Sequence, residues 1–145
     1  MKELKTEIIL NASPESVWKV LTDFQKYSQW NPFIVKIEGE LKLNSFLSTS
    51  LKSKDKLMSF RPKVTRLEEG RAFEWLGQAF LGTFKGRHYF VLEPLAEGKT
   101  KLVHGEQFSG LLSGLVLRMI GEETLQNFQQ MNKALQAEVE KSFVS

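Results

Sequence analysis

The sequence predicts an α+β chain in which a curved antiparallel sheet of about seven strands wraps round one long C-terminal helix, with two short helices after the first strand. Three observations carry that expectation. Short strand-forming runs separated by turn residues fill residues 33–108, a helical stripe follows to Phe143, and a capped helix start stands at residues 13–15. At 145 residues the chain fits one domain over 1–145 with a real hydrophobic core.

Thr6 to Leu10 is short and rich in strand formers, and Asn11-Ala12-Ser13 ends it. Ser13-Pro14-Glu15 then starts a helix: the hydroxyl caps free N–H groups, proline has its φ preset for the first position, and the acid sits at the positive end. Val17, Trp18, Leu21 and Phe24 share one face, so the helix runs from about Pro14 to Asp23. Tyr27 and Trp30 extend the aromatic face through a second short helix that Asn31-Pro32 stops.

From Phe33 to Phe108, turns at Gly39–Asn44, Ser53–Lys56, Glu69-Gly70, Gln78–Gly82 and Glu97-Gly98 leave about six strands. Connections this short join antiparallel neighbours, so the sheet is expected to be a meander. Leu117, Leu125, Phe128, Met131, Leu135 and Val139 mark the apolar stripe of the final helix, Leu115 to Phe143, with Gln126, Gln129, Gln130, Lys133 and Glu140 opposite. A curved sheet round a single helix does not close everywhere, and a cavity between them follows.

Composition narrows the chemistry. The absence of cysteine excludes disulfides, thiolate metal sites and a Cys nucleophile. With only His88 and His104, a three-His metal centre is impossible in one chain, and neither a metal nor another cofactor is expected. A net charge of +3 is too thin an excess to argue for nucleic acid. The charged N-terminus has no apolar leader, which leaves a cytoplasmic protein as the expectation. The apolar run Leu111–Ile120 is about half the length of a membrane span and carries Arg118, so no stable membrane insertion is expected. No phosphate loop, Gly-x-Ser-x-Gly elbow or His-Glu-x-x-His helix is present.

Four segments resemble a known superfamily: Ala12–Asp23, Tyr27–Phe33, Gly86–Pro94 and His104–Gly110. Together, and in this order, they resemble the SRPBCC superfamily, which includes START-related lipid binders, Bet v 1-like proteins and polyketide cyclase/dehydrase-like proteins. The resemblance covers nearly the whole chain and implies a helix-grip fold with a deep apolar cavity. It does not fix a function, because members range from carriers and receptors to aromatase/cyclases and co-chaperones.

The residues themselves place one constellation. Leu95-Ala96-Glu97-Gly98-Lys99 reads as a three-residue hairpin loop, a type I turn completed by a left-handed glycine. Counting back pairs Leu92 with Leu102, Phe90 with His104, His88 with Glu106 and Gly86 with Phe108. Phe84, Phe90, Leu92, Leu102 and Phe108 then share the concave face with both histidines and Glu106, while Lys85, Arg87, Glu93, Lys101 and Gln107 face outward. A carboxylate beside an imidazole there has three readings: an acid/base pair, a pair that orients a ligand, or two buried polar groups that satisfy each other.

The expected ligand-binding set is Trp30, Phe73, Trp75, Phe84, His88, Phe90, His104, Glu106, Phe108, Leu115 and Met119, with His88, Glu106 and His104 as the candidates for catalysis. Trp18 is assigned to packing, and Phe73 and Trp75 alternate so that both point inward. The run Leu111–Ile120, flanked by Gly110, Gly114 and Gly121, reads either as a lid over the cavity or as a helix end packed on two loops. Lys52, Lys54 and Lys56 read as a solvated turn. These features point first to a monomer that binds a small lipophilic ligand, aromatic, polyketide-like or lipid. The alternatives are a cyclase/dehydratase-like enzyme using His88 and Glu106, or a co-chaperone-like interaction module with a filled cavity.

Overall fold

A computed structural model describes residues 2–141. The chain begins with β1 (Lys2–Leu10), four residues longer at its start than the strand expected from Thr6. Helix α1 (Pro14–Thr22) follows, with the Ser13 side chain accepting from the Ser16 N–H, Pro14 in the first turn and Glu15 beside it. After one 3₁₀ turn at Phe24–Lys26 comes α2 (Tyr27–Trp30), and Asn31 ends it in an extended conformation ahead of Pro32. The Asn31 side chain then accepts from the Phe33 and Ile34 N–H groups, each at 2.9 Å, and turns the chain into β2 (Ile34–Glu38).

The remaining strands are β3 (Ser48–Ser53), β4 (Lys56–Phe60), β5 (Lys63–Glu68), β6 (Ala72–Ala79), β7 (Phe84–Pro94) and β8 (Thr100–Ser109). Eight strands replace about seven, because Pro62 splits the run between Leu57 and Glu68 into β4 and β5. Proline has no N–H to give a ladder, so a strand running through it is disfavoured. Strands β1-β8-β7-β6-β5 form one antiparallel sheet and β2-β3-β4 another, linked by a bridge between Phe46 and Lys63. Each set of consecutive strands is the expected meander. The opening strand departs from it by pairing with β8, the last strand, along Lys2–Leu10.

Helix α3 (Ser113–Lys141) lies in the grip of these sheets. It starts two residues before Leu115, and the expected end at Phe143 lies outside the described residues. Its buried side chains Phe128, Met131, Leu135 and Val139 join Val17, Trp18 and Leu21 of α1 and the inward residues of β6 to β8 in one core. Trp18 packs edge-on to Phe73 at 5.6 Å, and its indole N–H donates to Glu69 at 3.3 Å. The arrangement is a helix-grip fold.

Candidate functional site: a cavity with a buried polar chain

The site is built on the β7–β8 hairpin. Leu95 and Lys99 are joined by a 2.9 Å hydrogen bond, and the loop is Ala96-Glu97-Gly98. The turn differs from the type I form expected: Glu97 and Gly98 both have positive φ, 63° and 72°. That mirror-image geometry suits the right-handed twist of the strands better. The loop keeps its length, and so the pairing is Leu92–Leu102, Phe90–His104, His88–Glu106 and Gly86–Phe108.

Cross-strand pairing continues into rows over the concave face. Trp75, His88 and Glu106 make one row, with Phe73, Phe90, His104 and Thr6 in the next towards the closed end. Within these rows lies a chain of polar contacts. His88 Nε2 is 2.8 Å from His104 Nε2, and His104 Nδ1 is 2.7 Å from Asn132 Oδ1 of α3. Asn132 Nδ2 donates to Thr6 Oγ1 at 2.8 Å, and the Thr6 hydroxyl donates to the His104 carbonyl at 2.7 Å. On its other side His88 Nδ1 faces Glu106 Oε1 at 3.7 Å.

Aromatic rings enclose the two imidazoles. Phe90 and Phe128 stack on His104 at 4.4 and 4.5 Å, and Trp75 lies 5.4 Å from His88. Burial therefore holds His88 well below its ordinary pKa, with the neighbouring His104 as a second cause. Burial also lowers His104 to about 4, against a smaller raising effect of the Asn132 hydrogen bond. The Glu106 carboxyl is pushed by burial up to about 8. At neutral pH both rings are uncharged and Glu106 is largely protonated.

The row beyond Glu106 towards the open end is Gly77, Gly86 and Phe108. Two facing glycines leave the sheet bare, and a cavity of about 630 Å³ opens above them. It is bounded by this sheet, by Leu51, Met58 and Phe60 of β3 and β4, and by Ile120, Thr124 and Asn127 of α3. Glu106 sits over Gly86, where a Cβ would collide with its carboxylate. At the rim, Ser53 donates to Glu123 at 2.6 Å and accepts from Asn127 at 3.2 Å, tying the β3–β4 hairpin to α3.

A family model for polyketide cyclase / dehydrase and lipid transport matches residues 1–140. The chain belongs to this family. No curated protein sequence matches it. Its fold is similar to that of a START superfamily protein from Mycobacterium smegmatis, at 23% identity and a TM-score of 0.74, covering 96% of this chain and 97% of that one. It is also similar to the Zhui aromatase/cyclase from Streptomyces sp. R1128, at 14% identity and a TM-score of 0.78, covering 97% and 94%. A conserved protein from Geobacillus kaustophilus gives 19%, 0.71 and 97% of both chains.

Within this member of the polyketide cyclase / dehydrase and lipid transport family, the residues expected at the ligand divide into three groups. Trp75, Phe84, His88, Glu106 and Phe108 line the cavity. Phe73, Phe90 and His104 do not; they lie fully buried behind its wall, where Phe73 and Phe90 pack at 5.0 Å. Trp30, Leu115 and Met119 lie apart from it. Trp30 borders an outer groove with Lys19 and Asp23, while Leu115 and Met119 point to solvent from the start of α3. The apolar run at 113–120 is the first two turns of α3, and Leu112 N–H donates to the Thr83 carbonyl of the β6–β7 loop at 2.9 Å. The run is thus the continuous start of α3, joined to one loop by that hydrogen bond, with Leu111, Leu115 and Met119 exposed and Ile120 on the cavity.

Lys54 and Lys56 stand at the rim. Among the described residues no group of three or more His, Asp or Glu side chains is placed to hold a metal, and no helix is long and apolar enough to cross a membrane. Sequence reasoning missed Thr6 and Asn132. The signal for Asn132 was present, since it falls between Phe128 and Leu135 at helical spacing, in the middle of the buried stripe.

Proposed function

We propose that the protein binds a small lipophilic ligand in the cavity between the sheet and α3, with Trp75, Phe84 and Phe108 against its apolar body and His88 and Glu106 at its polar end. The observation that carries this reading is the cavity itself: about 630 Å³, with apolar side chains and bare glycine backbone in its wall, His88 and Glu106 on the sheet, and a polar rim that includes Ser53–Lys56, Glu123 and Asn127. That volume lies in the range of small-molecule sites. The reading includes a cytoplasmic monomer as its setting.

Native mass spectrometry of gently purified protein, followed by organic extraction, tests it. A stoichiometric lipophilic adduct is the expected result. Bare protein that also fails to bind any of a panel of apolar dyes would overturn the reading and favour an interaction module.

A second reading, a cyclase/dehydratase-like enzyme, is favoured by one observation: Glu106 Oε1 stands 3.7 Å from His88 Nδ1 on the cavity wall, an arrangement that burial, by pushing the carboxyl up to about 8, suits to proton transfer. Glu106→Gln separates the two. Lost turnover with ligand affinity kept supports the enzyme; altered affinity alone supports the carrier.

A further inference from the structure

The direction of every hydrogen bond in the buried chain follows from its far end. The His104 carbonyl has lone pairs only, so the single proton of the Thr6 hydroxyl is committed to it. Thr6 Oγ1 must then accept from Asn132, which turns the amide nitrogen of Asn132 to Thr6 and its oxygen to His104 Nδ1. His104 Nδ1 therefore carries a proton. With the ring neutral, His104 Nε2 is bare, and the proton in the 2.8 Å gap between the rings belongs to His88 Nε2. A neutral His88 in turn has its lone pair at Nδ1, on the side of Glu106.

The 3.7 Å between His88 Nδ1 and Glu106 Oε1 is too long for a hydrogen bond. Both groups line the cavity, so an acceptor and a carboxyl stand side by side at its wall with capacity unused. A ligand hydroxyl satisfies both, donating its proton to Nδ1 and accepting the carboxyl proton. A ketone has no proton for His88. A carboxylate has none either, and its charge is drawn to Lys54 and Lys56 at the rim rather than to this pair; an ammonium would require Glu106 to ionise, which places a charged pair against the apolar wall.

We propose that the inner end of the cavity is a recognition site for an uncharged hydroxyl group on an apolar body, held between His88 Nδ1 and Glu106, and that Asn132 is the positioning residue that fixes His88 as the acceptor. The proposal rests on the reading of the cavity as a ligand site and names the chemistry of what it holds.

Three probes with one apolar body test it: 2-naphthol, naphthalene and 2-naphthoate, titrated at pH 7 by calorimetry. 2-Naphthol is expected to bind about tenfold more tightly than either of the others, the worth of roughly one hydrogen bond. Equal binding of naphthalene overturns the hydroxyl site and leaves the cavity reading intact. Failure of all three to bind overturns both.

Nitrogen-15 NMR of the free protein provides a readout that needs no ligand. The expected tautomers are protonated Nε2 on His88 and protonated Nδ1 on His104, and a protonated His88 Nδ1 overturns the proposal alone. Asn132→Leu is expected to bring the naphthol-to-naphthalene affinity ratio close to one and to change the His104 tautomer. If that variant does not fold, Thr6→Val breaks the chain one link earlier and is expected to do the same. An unchanged ratio and unchanged tautomers in a folded variant remove Asn132 from this role.

Discussion

His88 and His104 approach Nε2 to Nε2 at 2.8 Å, so a single proton serves both rings and a second has no place between them. A first extra proton can go only to the bare Nδ1 of His88, and a second would have to enter between the rings; either places charge against the surrounding aromatic side chains. Acid stability follows. His104 ordinarily titrates at 6.5 and in the fold at about 4, so between these values the unfolded chain binds more protons. Stability is fully present above about pH 6.5 and is lost as the pH falls towards 4, and His88 acts in the same sense. Urea unfolding midpoints are expected to drop across this window, with a limiting slope of about 1.4 kcal/mol per pH unit for each proton.

Glu106 works in the opposite direction. Its carboxyl moves from 4.5 to about 8 on folding, so between these values the folded chain holds the extra proton and stability falls as the pH rises. Above pH 6.5 the histidines no longer contribute. Glu106→Gln is therefore expected to flatten the decline between pH 6.5 and 8 and, because Glu106 opposes the histidines between 4.5 and 6.5, to steepen the fall on the acid side. An unchanged alkaline slope in the variant would show that Glu106 ionises freely.

Gly86 and Gly77 face each other across β6 and β7, yet alanine is expected to act differently at each. At Gly86 a Cβ meets the carboxylate end of Glu106, so Gly86→Ala swings that flexible side chain into the open cavity, at little cost in stability but with the polar end of the site displaced. At Gly77 the one neighbour in range is Pro62 Cβ at 3.9 Å. Gly77→Ala is expected to be neutral, or stabilising by about 0.5 kcal/mol, while narrowing the cavity. Thermal unfolding combined with ligand binding checks both: each variant keeps its stability, the first loses the contribution of the Glu106 carboxyl to binding, and the second loses binding through the narrowed cavity.

Trp75→Ala should weaken an apolar ligand by roughly 1 kcal/mol or more through lost contact area. Phe73, two residues earlier on the same face, is fully buried behind the cavity wall. Phe73→Ala is expected to cost about 3–5 kcal/mol of stability. Dissociation constants and unfolding midpoints measured on both variants would separate wall from core, and a Trp75 variant with unchanged affinity would remove Trp75 from the ligand's surroundings.

The register of β7 and β8 was legible because it depends on loop length, and Ala96–Gly98 holds three residues whichever turn it adopts. The Pro62 break between β4 and β5 was equally legible and was overlooked. Leu115 and Met119 show the limit of reading hydrophobicity without phase. At about 100° per residue they lie about 180–220° round α3 from Phe128, so their apolar character sends them to the solvent side. Which aromatics touch the cavity and which stand behind it was not legible at all. Phe73, Phe90 and Trp75 share one face of the sheet, and only the curvature of that sheet and the path of α3 separate them.

The bare row at Gly77 and Gly86 separates two tasks that small proteins usually combine. Strand pairing there is made by backbone groups, and the room for a ligand is made by side chains that are withheld. Substitutions of graded size at residue 77 would thus yield a series of receptors of decreasing depth on one unchanged hydrogen-bond ladder. Selectivity for ligand size would be adjustable at a single site, without renegotiating how the chain folds.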